Sequence, residues 1–128
     1  MLRCNYQVLE SAIQEAGKYP NAPPSIGIIF NLPDTLSYTQ PPLLTCRTIS
    51  IEYPVVVKMN DIKIWNIAEV HKGNKKDWFF DMAILPKNCL KKGQGKENRN
   101  ELVFTADWNN DDIIQIDNVV LWYYTDEK

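Results

Sequence analysis

The sequence has one histidine, five glycines and three cysteines in 128 residues, and each scarcity removes a class of function. A lone histidine, His71, gives little for nucleophilic catalysis, and no GxSxG, Cys-His signature or HExxH occurs. No glycine-rich loop follows a strand and opens a helix, so a phosphate cradle is unsupported. Cys4, Cys46 and Cys89 are odd in number, widely spaced and without a CxxC, which argues against a disulfide framework and a zinc site. Pairing Cys89 with His71 as nucleophile and base is a poorer reading than an incidental buried thiol. No apolar run approaches the roughly 20 residues of a membrane span. The first residues carry Glu10 and Glu15 and lack a signal peptide's apolar centre. These absences lead to the expectation of a soluble, reduced, cytoplasmic protein without enzymatic activity.

What remains is ordinary in amount and uneven in placement. Hydrophobic residues make up 45% of the chain and charged ones 23%, and the net charge of -2 gives no global attraction to nucleic acid or anionic membrane. Eight of the 14 Lys+Arg nevertheless lie between Lys72 and Arg99, and beyond Glu101 the chain turns acidic. Loops at opposite ends of a sandwich produce such asymmetry as readily as a binding face does.

The length suits one domain over residues 1–128, and the periodicity divides it. Tyr6, Leu9, Ile13 and Ala16 recur at helical spacing between a capping Asn5 and a terminating Gly17, which predicts a short helix over residues 5–16 within an N-terminal unit of residues 1–20. Residues 21–43 are proline-rich, with one strand, "SIGIIF", that puts Ile26, Ile28 and Phe30 on one face. Residues 44–124 form the main body. In "TISIEYPVVVKMN", Ile49 to Met59 alternate apolar against polar, with Pro54 marking a bulge, a break or an edge. A turn is expected at Asn60-Asp61. "DWFFDMAIL" places Trp78, Phe80, Met82 and Ile84 on one side, and "ELVFTADW" and "DIIQIDNVVLWYY" complete the set. In the last segment Ile114 and Ile116 differ in parity from Val119 and Leu121, so one extra residue at Asp117-Asn118, a β-bulge, is needed to bring all four to the core. Many strands without alternating helices predict an all-β antiparallel sandwich.

The order of these features resembles the galactose-binding-like jelly roll of carbohydrate-binding modules and glycoside hydrolase accessory domains. Asn60-Asp61 stands where that family has Asn-Gly at a tight turn. His71 and Gly73 stand in its loop, and Phe79 to Ile84 in the strand that follows. Leu90, Gly93, Asn100 and Leu102 match the stretch delivering the next strand, and Ile116 to Leu121 match the final strand. The resemblance covers about residues 44 to 124. It implies a jelly-roll sandwich, to which the periodicity adds a single short N-terminal α-helix that is not part of the family's pattern. It also implies that residues 85–100, "LPKNCLKKGQGKENRN", carry the chain from one sheet to the other. In such modules the last-strand aspartate, here Asp117, often holds a structural calcium. Asp107, Asp111 and Asp112, in an oxygen-rich loop, are the other weak calcium candidates.

Candidate binding residues follow from the surplus of aromatics. Trp108, flanked by Asn109 and Asn110, and Trp65, beside Asn66, are expected to stand exposed, with His71 and Lys75 on a neighbouring loop. Mixed charge around aromatic anchors suits a protein partner, which makes an inhibitor, an immunity protein or an assembly subunit the first reading. A glycan stacked on Trp108 or Trp65 is the second, and nucleic acid gripped by the Lys72–Arg99 segment a distant third. No cofactor is expected.

Overall fold

A computed structural model of the chain describes residues 1–17, 23–49, 55–67, 78–105 and 114–127, and these build an all-β sandwich. Nine strands are described: β1 (Leu2–Glu10), β2 (Gln14–Ala16), β3 (Ser25–Phe30), β4 (Leu43–Ile49), β5 (Val55–Met59), β6 (Ile62–Ile67), β7 (Phe79–Ile84), β8 (Asn100–Thr105) and β9 (Ile114–Asp126). One sheet has the order β1-β9-β4-β7, with β2 also on β9, and the other has β3-β8-β5-β6. Every ladder is antiparallel, and the pairs are nested: β5 with β6, β4 with β7, β3 with β8, and β1 and β2 with β9.

The helix expected over residues 5–16 is absent. Residues Leu2 to Glu10 instead pair with β9, from Leu2 opposite Asp126 to Glu10 opposite Val119. An isolated helix of about a dozen residues is marginal in water. The 13-residue β9 offers its whole outer ladder to the segment that reaches it. Two members of the helical stripe, Tyr6 and Ile13, are accordingly exposed. The alternation expected from Ile49 to Met59 is divided between the sheets. β4 ends at Ile49 in one sheet and β5 starts at Val55 in the other, with Pro54 in the interval outside the described residues.

The core lies between the sheets. Ile26, Ile28 and Phe30 of β3, Val55, Val57 and Met59 of β5, and Leu102 and Phe104 of β8 face Leu44 and Cys46 of β4 and Ile114, Ile116, Val119, Leu121 and Tyr123 of β9. Each such large side chain contributes about 1.5–3 kcal/mol through burial. The four apolar residues on β9 reach the core despite their mixed parity because Thr45 opposes Val120 while Arg47 opposes Asp117, which leaves one extra residue on β9. Asn118 takes it up with φ 47 and points to solvent, as the bulge requires.

The β5–β6 hairpin closes through Asn60 and Asp61, with φ 53 and 65. Two left-handed residues between Met59 and Ile62 make the primed turn that matches strand twist. Asn60 also anchors the crossing from β7 to β8, which does carry the chain between sheets. Its Nδ2 donates to the Cys89 carbonyl and to Asn100 Oδ1, both at 2.9 Å, and its Oδ1 accepts from the Glu101 amide at 2.9 Å. Asn100 is fully buried; its Oδ1 accepts from the Lys91 amide at 2.8 Å and its Nδ2 donates to the Lys91 carbonyl at 2.9 Å. These bonds satisfy backbone groups that the irregular crossing would otherwise bury unpaired. The charged excursion is thus stitched to the sandwich from inside.

Candidate functional site

The register of the β1-β9-β4-β7 sheet aligns its outward side chains in three transverse rows. Tyr6, Trp122, Leu43 and Ile84 oppose one another in turn across four strands. Val8, Val120, Thr45 and Met82 form the next row, and Asp117, Arg47 and Phe80 the third. The inward parity of the same strands carries core residues such as Leu44, Cys46, Leu121 and Tyr123. β9 is therefore apolar on both faces from Val119 to Tyr124, a composition expected of a strand covered on both sides.

Most of the outer side stands open among the described residues. Tyr6 is 63% exposed, Val8 51%, Phe80 68%, Met82 63%, Ile84 73% and Trp122 38%. Given the area such side chains carry, these fractions leave roughly 700 Å² of mainly apolar surface in one patch, against about 300–600 Å² for the largest patch on an ordinary monomer. Half-buried Leu43, Val120 and Tyr124 extend it.

The indole N–H and the carboxylate among the rows are paired within the sheet. Trp122 Nε1 donates to Thr45 Oγ1 at 3.0 Å, and the rings of Trp122 and Tyr6 lie 5.3 Å apart with a 38° tilt. Arg47 grips Asp117 bidentately, Nε to Oδ1 at 2.8 Å and Nη2 to Oδ2 at 2.6 Å. The hydrogen bond to Asp117 holds the Arg47 guanidinium even more firmly protonated than usual. The Trp78 ring sits 4.9 Å from the Arg47 guanidinium carbon in a cation–π contact. At one corner, Cys4, Pro41, Leu43, Ile84, Trp122 and Tyr124 line a shallow cavity of about 360 Å³, a recess able to take one large apolar side chain.

The loops expected to bind are treated differently by the structure. His71, Lys75, Trp108, Asn109 and Asn110 lie outside the described residues, as do Asp107, Asp111 and Asp112. Trp65 stands on β6, half-buried and packed against the core. Asp117 is buried, with both carboxylate oxygens engaged by Arg47. Among the described residues no group of three or more His, Cys, Asp or Glu could hold a metal ion. The described part of the basic segment mixes charges: Lys91, Lys96 and Arg99 share a recess with Asp61 and Glu101. Cys46 and Cys89 are buried, and desolvation pushes their thiols up to about 12 and about 11. That disarms both as nucleophiles.

Sequence reasoning missed the outer sheet face. The signal was present in the double-sided apolar run of β9 and in β7, where the apolar parity of Phe80, Met82 and Ile84 points outward. Parity shows which residues share a face; it does not show which face is inside.

No protein-family model matches the chain, and no curated protein matches it. Among solved structures, dimeric latent PorU from Porphyromonas gingivalis aligns over 98% of this chain and 12% of its own, at 14% identity and a TM-score of 0.53. At that identity the likeness is one of fold, a β-sandwich. No described helix is long and apolar enough to cross a membrane.

Proposed function

We propose that the protein is a non-catalytic binding domain that docks a protein partner on the outer face of its β1-β9-β4-β7 sheet. The observation that carries the reading is the three-row patch, which exposes more contiguous apolar surface than a free monomer ordinarily keeps in water. Aromatic anchors, an internally paired ion pair and a corner recess are the parts from which protein interfaces draw their binding energy. We read the architecture as a jelly roll. The nested pairing of β5 with β6 out to β2 with β9 supports this, because a long hairpin rolled into two sheets gives that order.

The galactose-binding-like resemblance and the stacked Tyr6–Trp122 pair favour glycan binding as a second reading. Sugar sites, however, flank their aromatics with polar groups for the hydroxyls. Here the neighbours within the rows are Leu43, Ile84, Val8 and Val120, and the Thr45 hydroxyl is already bonded.

Affinity capture from the native host separates the readings, using wild-type bait beside Met82→Lys. Met82 is 63% exposed, so its lysine variant should fold. The protein-docking reading expects an identified partner on the wild-type bait that Met82→Lys loses. Identical recoveries on both baits, or a glycan titrated by Trp122 fluorescence with no protein retained, overturn it.

A further inference from the structure

We infer that the partner on this face is a second copy of the same chain, packed sheet to sheet about a twofold axis. The inference rests on the docking reading and specifies its occupant.

Area is the first argument. The roughly 700 Å² of exposed patch approaches the ~800 Å² that each partner contributes to a standard interface. Two such faces in full contact would bury roughly 1,400 Å², within the standard range of about 1,200–2,000 Å². A small domain docking a short peptide would leave much of the four-strand width uncovered.

Charge is the second argument. Within the three rows the charged residues are Arg47 and Asp117, joined bidentately on the same face. The three rows therefore bring no net charge to an identical set, and the acidic Glu15 and Asp126 stand beyond them toward the two ends of β9. A heterologous docking surface commonly carries a charge pattern that selects its partner, and this one is neutral within its rows. Homodimer contacts, in turn, are the more apolar class of interface.

Polar satisfaction is the third. Covering the rows would strand neither the Trp122 N–H nor the Asp117 oxygens, since Thr45 and Arg47 already pair them. Aligned packing of two twisted sheets, at about −30° and about 10 Å apart, gives a self-complementary contact in which each outward row meets its own kind. β9 would then be covered on both faces, as its two-sided composition demands.

Sedimentation velocity across micromolar to millimolar concentration tests the inference. The expected result is a reversible equilibrium between the 14.8 kDa chain and a species of twice that mass. Met82→Lys and Phe80→Lys should each weaken the dimer at least tenfold. Ile29→Lys should leave it unchanged, because Ile29 is exposed on the other sheet. Thermal melts of all three variants confirm that they fold. A monomer at every concentration overturns the inference, as does a dimer indifferent to both lysines on β7. A monomer that still captures another protein in a Met82-dependent way overturns the inference alone and leaves the docking reading standing.

Discussion

At the residue scale, the three cysteines divide by environment. Cys4 is exposed on β1, whereas Cys46 and Cys89 are buried between the sheets with their thiols held neutral by desolvation, to which the nearby Asp81 and Asp117 charges add at Cys46. A thiol-specific disulfide reagent should therefore titrate one group rapidly in the native chain at pH 8 and three after denaturation. Rapid reaction of two or more native thiols would contradict this burial. The same shifts carry a pH dependence. Both folded values lie above a thiol's ordinary 9.0, so the unfolded chain releases these protons first. Their contribution to stability is full below pH 9 and is lost progressively as the pH rises through 9 toward 11 and 12. Urea midpoints should fall over that range, and fall less in Cys89→Ala.

At the element scale, β9 decides the architecture. It pairs with β1, β2 and β4, and its bulge converts an out-of-phase sequence into one continuous core face. The bulge rests on Asn118 in the left-handed region at φ 47, where asparagine and glycine are tolerated and β-branched residues are strained. Asn118→Val should destabilise the domain by about 1–2 kcal/mol, and Asn118→Gly should cost well under 1 kcal/mol. Chemical denaturation of the two variants measures the difference. Equal stability would mean that the bulge is not confined to this residue.

The bulge, the Asn60-Asp61 turn and the inward faces of β3, β8 and β9 were all legible in the sequence, because local alternation and turn chemistry fix them. The β1 strand was not. Tyr6, Leu9, Ile13 and Ala16 satisfy a helical stripe, and only the availability of β9, more than a hundred residues away, turns Leu2–Glu10 into a strand. That β4 and β5 lie in different sheets was not legible in the alternation from Ile49 to Met59, since changing sheets is a property of the tertiary fold. Trp65 shows the same limit: its polar neighbour Asn66 suggested exposure, yet the hairpin seats the indole against the core.

At the scale of the whole molecule, each sheet buries one face against the other, and among the described residues no further layer packs on the outer face of the β1-β9-β4-β7 sheet. The inner faces close a core; the outer face of the β1-β9-β4-β7 sheet repeats core chemistry in the open. The chain's three methionines report on this arrangement without any substitution. Met1 is 91% exposed, Met59 is fully buried on β5, and Met82, 63% exposed, lies in the middle row of the outer face. The most direct test is hydroxyl-radical footprinting of these three side chains, in dilute purified protein and again in native-host extract at physiological concentration. The account predicts that Met1 oxidises rapidly and Met59 slowly in both, while Met82 is rapid in the dilute protein and several-fold slower in the extract. Met82 oxidised as rapidly in the extract as in isolation would contradict the claim that a protein covers this face.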